Sequence, residues 1–249
     1  MHHPIALVTG AGRGIGAATA ELLAAQGDFV IVNYVKDDKS ANDVVKKIQA
    51  KGGNAVAIQA DVSIEAQVMS LFQHIDALPG QLKKLVNNAG ILFAQSPVVE
   101  LTADRINQVL STNVTSYFLC CKEAIKRMST NFGGSGGAIV NVSSAASRLG
   151  APNEYVDYAA SKGAIDTLTK GLSLEVAAQN IRVNGVRPGL IYTDIHRDGG
   201  EPDRVDRLAS SLPMQRGGQP IEVAQAITWL LSDNASYITG SHLELAGGR

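Results

Sequence analysis

Two residues that could share a proton stand one helical turn apart, Tyr158 and Lys162. On a helix that spacing puts both on one face. Ile165, Leu172 and Val176 carry the same face onward as an apolar stripe. A free phenol titrates at about 10, and a nearby cation favours its ionised form. A tyrosine lowered in this way exchanges a proton with a carbonyl or hydroxyl oxygen near neutral pH. The pair alone is weak evidence, because an amphipathic tyrosine and a snorkelling lysine on a surface helix would read the same. Two other places break an apolar pattern with polar side chains. Asn113 falls on a stripe of Ile106, Leu110, Tyr117, Cys121, Ile125 and Met128. A buried amide must find a partner or hold a water. Ser143 and Ser144 follow directly on the apolar run Ala138–Val142.

A third group suits phosphate rather than proton transfer. Gly10-Ala11-Gly12-Arg13-Gly14-Ile15-Gly16 lies between an apolar run and a helical pattern. A glycine-rich turn lets the backbone approach a pyrophosphate, and the helix start offers free N–H groups to it. Gly12-x-Gly14-x-x-Ala17 also meets the looser GxGxxG/A pattern, a weak signal by itself. The second apolar run ends Val30-Ile31-Val32-Asn33-Tyr34 without an acid. An acid there would bind the ribose hydroxyl of NAD and repel the extra phosphate of NADP. With Arg13 and Lys36 nearby, the pattern favours NADP over NAD. Asp37 or Asp38 would take the ribose role if that strand ran further.

These residues need elements to position them. Strands are expected at Ile5–Thr9, Phe29–Asn33, Ala55–Gln59, Lys84–Val86, Ala138–Val142, Arg182–Val186 and His242–Leu245. Most are continuous apolar runs, as strands buried on both faces are. Helical patterns fill 14–26, 38–51, 64–78, 103–130, 157–179 and 221–232. The alternation implies an α/β fold of Rossmann type, a doubly wound seven-stranded parallel sheet with helices on both faces. Ligands in such sheets lie at the carboxyl ends of the strands, where Ser143 and Ser144 fall. Gly133–Gly137 reads as a surface turn. Residues 190–219 carry Gly199-Gly200, Pro202, Pro213 and Gly217-Gly218 around one short helix near 203–211. Such a long connection after a strand is expected to be a substrate lid. It holds His196, Arg197 and Asp198, which could meet a polar substrate or solvent.

Composition narrows the rest. The chain has 249 residues, 25 of them glycine, and a net charge of −1. That length fits a single domain with a sizeable core. The charge gives no basic footprint for nucleic acid. No apolar run is long enough to span a bilayer. Met1-His2-His3-Pro4 shows no basic leader or cleavage site. Cys120 and Cys121 are the only cysteines. They cannot staple a secreted scaffold and read as small core residues. A reducing, cytoplasmic setting is therefore expected. His2, His3, His74, His196 and His242 lack metal-ligand spacing, so no metal is expected.

Together, Thr9-Gly10-x-x-x-Gly14-Ile15-Gly16, Asn87-Asn88-Ala89-Gly90, Asn113, Ser144, Tyr158-x-x-x-Lys162, Pro188-Gly189 and Tyr237-Ile238-Thr239-Gly240 stand in a telling order. The chain resembles the short-chain dehydrogenase/reductase family over essentially its whole length, in the short single-domain form. The resemblance implies an NADP(H)-dependent oxidoreductase moving hydride between nicotinamide and a carbonyl or alcohol. Tyr158 would be the acid/base, with its pKa lowered by Lys162, which would also hold the ribose hydroxyls. Ser144 would bind the substrate oxygen, and Asn113 a relay water. Asp61 and Val62 would meet the adenine, and Asn88, Ala89 and Gly90 would line the cofactor. Gly10, Arg13, Gly14, Ile15 and Gly16 would hold its phosphates, with Asn33 and Tyr34 at the adenosine ribose. Pro188, Gly189, Ile191 and Thr193 would frame the nicotinamide.

The family's serine usually stands six residues before a glycine, which favours Ser144 with Gly150 over Ser143. The Ser144–Tyr158 interval is then one residue longer than is common. The extra residue falls in 151–157, which should border the substrate. Tyr155 is a rival tyrosine without a lysine one turn on. The acid that often precedes the last glycine pair is here Ala246. The resemblance also implies a homotetramer built from helices 103–130 and 157–179 and the last strand. Substrate remains open among 3-oxoacyl thioesters, sugars or polyols, and simple ketones. Lys126 and Arg127 are one basic pair that could dock a carrier protein. A two-domain epimerase or dehydratase would need a longer chain. A silent NADP-binding sensor would not need the intact set of Asn113, Ser144, Tyr158 and Lys162.

Overall fold

The apolar runs form one sheet because side chains on both of their faces are covered. The computed structural model describes residues 3–249. Met1 and His2 lie outside the described residues, and with them the start of the 1–4 segment and one of the histidines considered above. The strands are β1 (His3–Val8), β2 (Phe29–Tyr34), β3 (Asn54–Gln59), β4 (Gly80–Asn87), β5 (Gly137–Val142), β6 (Ile181–Pro188) and β7 (His242–Leu245). They pair in parallel in the order β3-β2-β1-β4-β5-β6-β7. The order reverses between β1 and β4, which opens a crevice at their carboxyl ends.

Alternation sends Ile5 and Leu7 to one face and Ala6 and Val8 to the other. The first face carries α3 (Glu65–Asp76), α5 (Ser116–Met128) and α7 (Val156–Val176), with Phe72, Tyr117 and Ile165 in its core. The second carries α1 (Gly14–Ala25), α2 (Asp38–Ala50) and α10 (Pro220–Leu231), with Leu23, Val44 and Ile227. Local chemistry sets the helix starts. Asp37 caps α2 by accepting from the Ser40 N–H at 2.9 Å, as a short acidic cap does. Pro220 opens α10, and Glu222 accepts from the Gln219 N–H at 2.7 Å. Among the described residues, no helix is long and apolar enough to cross a membrane.

The expected helix over 103–130 is two helices with a wider turn between them. α4 (Ala103–Leu110) runs into a π-helical segment, Ser111–Thr115, and then α5. The segment inserts a residue into the helical repeat, so the apolar stripe changes phase across it. Val109 is therefore 1 % exposed, whereas Leu110, placed on the stripe by a uniform repeat, is 39 % exposed. Asn113 sits inside the segment and is fully buried.

Residues 190–219 fold back over the carboxyl ends of the strands. They hold α8 (Ile195–Asp198) and α9 (Arg204–Ala209), besides α6 (Ala146–Leu149) on the far rim. Leu190, Val205 and Leu212 make a small core of their own. The segment's two ends meet in a parallel bridge, Ile191 with Gly218.

Candidate active site

The β1–α1 turn is held from both sides. Thr9 Oγ1 accepts from the N–H groups of Asn88 (2.9 Å) and Ala89 (3.0 Å). Asn88 Nδ2 donates to the carbonyls of Thr9 (2.9 Å) and Gly10 (3.0 Å). From the β2 side, Asn33 Oδ1 accepts from Gly10 N–H at 3.4 Å, while its Nδ2 donates to the Ala60 carbonyl at 3.0 Å. Glycine is required at two points. Gly10 has φ +61°, and a Cβ there would lie 3.1 Å from Ala89 Cα. At Gly16 a Cβ would lie 2.6 Å from both Asn88 Nδ2 and the Gly10 carbonyl oxygen. The turn is thus a backbone cradle at a helix start, and its shape fits the phosphates of a dinucleotide. Gly10, Arg13, Gly14 and Ile15 line a cleft of ≈ 350 Å³.

The same cleft reaches the first turns of α7, where Asp157 anchors the helix start. Asp157 accepts from its own neighbour's N–H, that of Tyr158, at 2.9 Å, and from Arg105 Nε at 2.8 Å. Tyr158, Lys162 and Ser144 line the cleft together. Lys162 is 3 % exposed. Its Nζ donates to the Val142 carbonyl at 2.8 Å and to Tyr117 Oη at 3.3 Å, and lies 5.6 Å from the Tyr158 ring centre. Two of its three N–H donors thus have partners. Ser144 Oγ accepts from Ala146 N–H at 3.1 Å, donates to the Pro188 carbonyl at 3.4 Å, and lies close enough to Tyr158 to oppose the rise of its phenol. Ser143 Oγ instead donates to the Lys162 carbonyl at 3.1 Å. The hydroxyl that faces Tyr158 therefore belongs to Ser144.

The electrostatics differ from the expectation that Lys162 lowers the phenol. Burial pushes the Tyr158 phenol up, and the Ser144 hydrogen bond only offsets part of that. Burial also pulls the Lys162 amine down to about 7, against the pull of Asp166. The same burial that raises the phenol thus weakens the cation expected to lower it.

Asn113 is held by its side-chain amide. Its Oδ1 accepts from Ile91 N–H at 2.8 Å, and its Nδ2 donates to the Ile91 carbonyl and to Ser161 Oγ, both at 3.1 Å. The side chain is committed to pinning the β4 loop against α7, with Gly90 close to both Asn113 and Lys162. A Cβ at Gly90 would lie 3.5 Å from Asn113 Oδ1 and 3.6 Å from Lys162 Nζ.

Among the expected cofactor contacts, Asn88, Ala89 and Gly90 line the cleft, as do Pro188, Gly189, Ile191 and Thr193. Gly16, Asn33, Tyr34, Asp61 and Val62 do not. Gly16 lies beneath the turn. Asn33 is fully buried as the tie described above. Tyr34 packs against the α2-side core. Asp61 Oδ1 accepts from the N–H and the hydroxyl of Ser63, at 2.9 and 2.6 Å, and Val62 is buried. Val35 lines the cleft at that end instead. Asp37, the alternative ribose ligand, is occupied by Ser40. Arg13 pairs with Asp198 of α8, while Arg197 pairs with Asp194 at 3.3 Å and is exposed.

The far end of the cleft holds residues with no motif behind them. Glu154, Tyr155, His196 and Arg204 line it. Residues 151–157 thus border the pocket, as the longer Ser144–Tyr158 interval suggested. Ala151 and Asn153 have φ of +45° and +60°, as a bulged loop with an inserted residue would. Arg204 had no sequence signal, since its partner Glu154 is far away in the chain. Lys126 and Arg127, the basic pair considered for docking, are neutralised: Lys126 by Glu123 (2.7 Å) and Arg127 by Asp76 (2.6 Å) and Glu123 (2.9 Å).

Known proteins share this arrangement. A family model described as enoyl-(acyl carrier protein) reductase matches residues 10–249. The uncharacterized oxidoreductase YgfF of Escherichia coli (strain K12) is 67 % identical over 245 residues, covering 98 % of this chain and 99 % of that one. The 3-oxoacyl-[acyl-carrier-protein] reductase FabG of Staphylococcus aureus (strain Mu50) is 36 % identical, covering 98 % of this chain and 96 % of that one. A crystal structure of a short chain dehydrogenase from Burkholderia cenocepacia J2315 in complex with NADP superposes with a TM-score of 0.89 at 34 % identity, over 99 % of this chain and 98 % of that one. With the crevice, the cradle and the α7 tyrosine–lysine pair in place, the chain belongs to the short-chain dehydrogenase/reductase family of NAD(P)-dependent oxidoreductases.

Proposed function

We propose that the chain is an NADP(H)-dependent carbonyl reductase or alcohol dehydrogenase, one domain over 1–249 with 190–219 as its lid and Tyr158 as its acid/base. The observation that carries the reading is the convergence of Ser144, Tyr158 and Lys162 on one cleft that begins at a glycine cradle. A bound nicotinamide supplies the hydride. Gly10, Gly14 and Ile15 hold its phosphates, and Asn88–Gly90 with Pro188 and Gly189 line its path. Tyr158 and Ser144 present two hydroxyls to one substrate oxygen. Because burial keeps the phenol protonated at neutral pH, Tyr158 serves as the proton donor to an oxygen gaining negative charge. Ser144 Oγ is held in place by the Ala146 N–H, and its hydroxyl turns from the Pro188 carbonyl to stabilise that oxygen. Lys162 is held by Val142 and Tyr117 with one donor left for a ribose hydroxyl.

NADP is favoured over NAD because β2 ends in Tyr34 rather than an acid and Asp37 is committed to its cap. Arg13 at the cleft mouth is the cation for the extra phosphate, which would replace the exposed Asp198 as its partner. The NADP-bound structural relative fits the same preference. Exposed Phe118 and Leu174 on α5 and α7 support assembly of those helices in a homotetramer. The test is Tyr158→Phe with a panel of small ketones and aldehydes. Turnover should fall about 100-fold or more while fluorescence titration shows unchanged NADPH binding. Wild-type rates in that variant, or tighter binding of NADH than NADPH by the wild type, would each remove part of the reading.

A further inference from the structure

The far end of the cleft carries more polar groups than proton exchange at Tyr158 needs. Arg204 Nη1 donates to Glu154 Oε1 at 3.2 Å, and its Nη2 donates to Oε2. Arg204 also reaches Glu201 at 3.4 Å and lies 5.1 Å over the Tyr155 ring. The arginine side chain is 9 % exposed, but Glu154 keeps 35 % of its side chain accessible. The carboxylate is therefore the member of the pair that a ligand meets. An ionised carboxylate only accepts hydrogen bonds, at about four sites. Arg204 and the Gln95 amide (3.3 Å) occupy three of them. What remains takes an O–H donor and repels an anion.

Two polar atoms packed beside the pair have no partner, Tyr155 Oη and His196 Nδ1. His196 Nε2 faces the Ile191 carbonyl at 3.2 Å, and a carbonyl only accepts. That places the ring proton on Nε2 and leaves Nδ1 an acceptor. Burial and Arg204 hold His196 below its ordinary range, so it is neutral at pH 7. The accessible polar group of the end wall is thus the Glu154 carboxylate, with Tyr155 Oη and His196 Nδ1 buried behind it. A hydroxyl is the neutral group that donates to this carboxylate. Leu92, Leu149 and Ile195 add apolar surface to the cleft, which Arg249 also lines. A few polar groups on an apolar wall are what fixes a ligand's orientation.

We propose that Glu154, held by Arg204, selects neutral hydroxylated carbonyl compounds and polyols over plain ketones and over carboxylates. The proposal rests on the oxidoreductase reading above and names its substrate class.

The experiment compares three four-carbon substrates with NADPH: erythrulose, 2-butanone and 2-oxobutanoate. Wild type should favour erythrulose in kcat/KM over both. Glu154→Gln keeps the shape and removes the charge; Arg204→Met removes the partner. Each should cut the erythrulose-to-butanone ratio about 10- to 100-fold, the worth of a hydrogen bond to a charged group. The loss should fall mainly on KM for erythrulose. A latch that only shaped the lid would lower all three substrates together and leave the ratio flat, which overturns the proposal. Preference for 2-oxobutanoate overturns it too. NADPH titration of each variant confirms that the site is formed. Absence of turnover with every ketone and aldehyde despite NADPH binding overturns the oxidoreductase reading and this proposal with it, and is distinct from turnover with a flat ratio.

Discussion

The two ends of the cleft are built by different means. At the β1–α1 end the side chains of Thr9, Asn33 and Asn88 pin backbone groups of the turn and its neighbours, and glycines leave no room for a side chain. At the lid end, side chains from distant segments meet as ion pairs, with a bulged loop and two unpartnered buried atoms between them. The first end is rigid and tolerates few residues. The second is assembled from contacts that can be exchanged without disturbing the sheet. A cofactor shared by many relatives suits the first construction, and a substrate that differs among them suits the second.

The largest consequence lies at Gly16. An added methyl there meets backbone at 2.6 Å, so Gly16→Ala should cost about 3 kcal/mol and weaken NADPH binding. In the lid, Gly200→Ala meets only Ala94 Cβ at 3.8 Å, and its cost is that of φ +83°, about 1 kcal/mol. Denaturant melts and NADPH titrations of both variants measure the contrast. Equal losses of stability and cofactor affinity would dissolve it.

That contrast also explains what could be read in advance. All seven strands, the glycine turn and the Tyr158–Lys162 pair are local patterns, and periodicity or spacing exposes them. Asn33 was assigned to the cofactor because it ends β2, but the residue type could not say which way its amide turns. Leu110 was placed in the core because a uniform repeat cannot register an inserted residue. The longer Ser144–Tyr158 interval brings Glu154 to the pocket, but nothing in either neighbourhood signals its pairing with Arg204. The pKa of Lys162 followed the same rule: its sign depends on burial, which the pattern does not give.

An intermediate effect concerns that lysine. Its folded-state value, about 7, lies below the ordinary 10.5. Below about 7 the folded protein must bury the charged amine, and the cost is fully present. Between the two values the unfolded chain binds more protons, so stability rises with pH. Relative to Lys162→Met, wild type should therefore gain stability from pH 7 to pH 10, as read from urea melts across that range. A flat or falling difference would mean that the amine is not desolvated. The smallest effect belongs to the lid. Arg13 and Asp198 are 55 % and 42 % exposed, so Asp198→Asn should change stability by less than about 0.5 kcal/mol in a thermal melt. A larger loss would make the lid less exchangeable than the rest of its contacts indicate.

The π segment Ser111–Thr115 has a consequence for how this chain can change length. An α-helix turns about 100° per residue. Deleting one residue there would restore a regular helix and rotate everything on one side of it by that angle. Asn113 would leave Ile91 and Ser161, and Val109 would trade places with Leu110. The number of residues in this turn is therefore part of the site in the same sense as their identities. An insertion elsewhere on the surface is a matter of tolerance, but here it is a matter of phase.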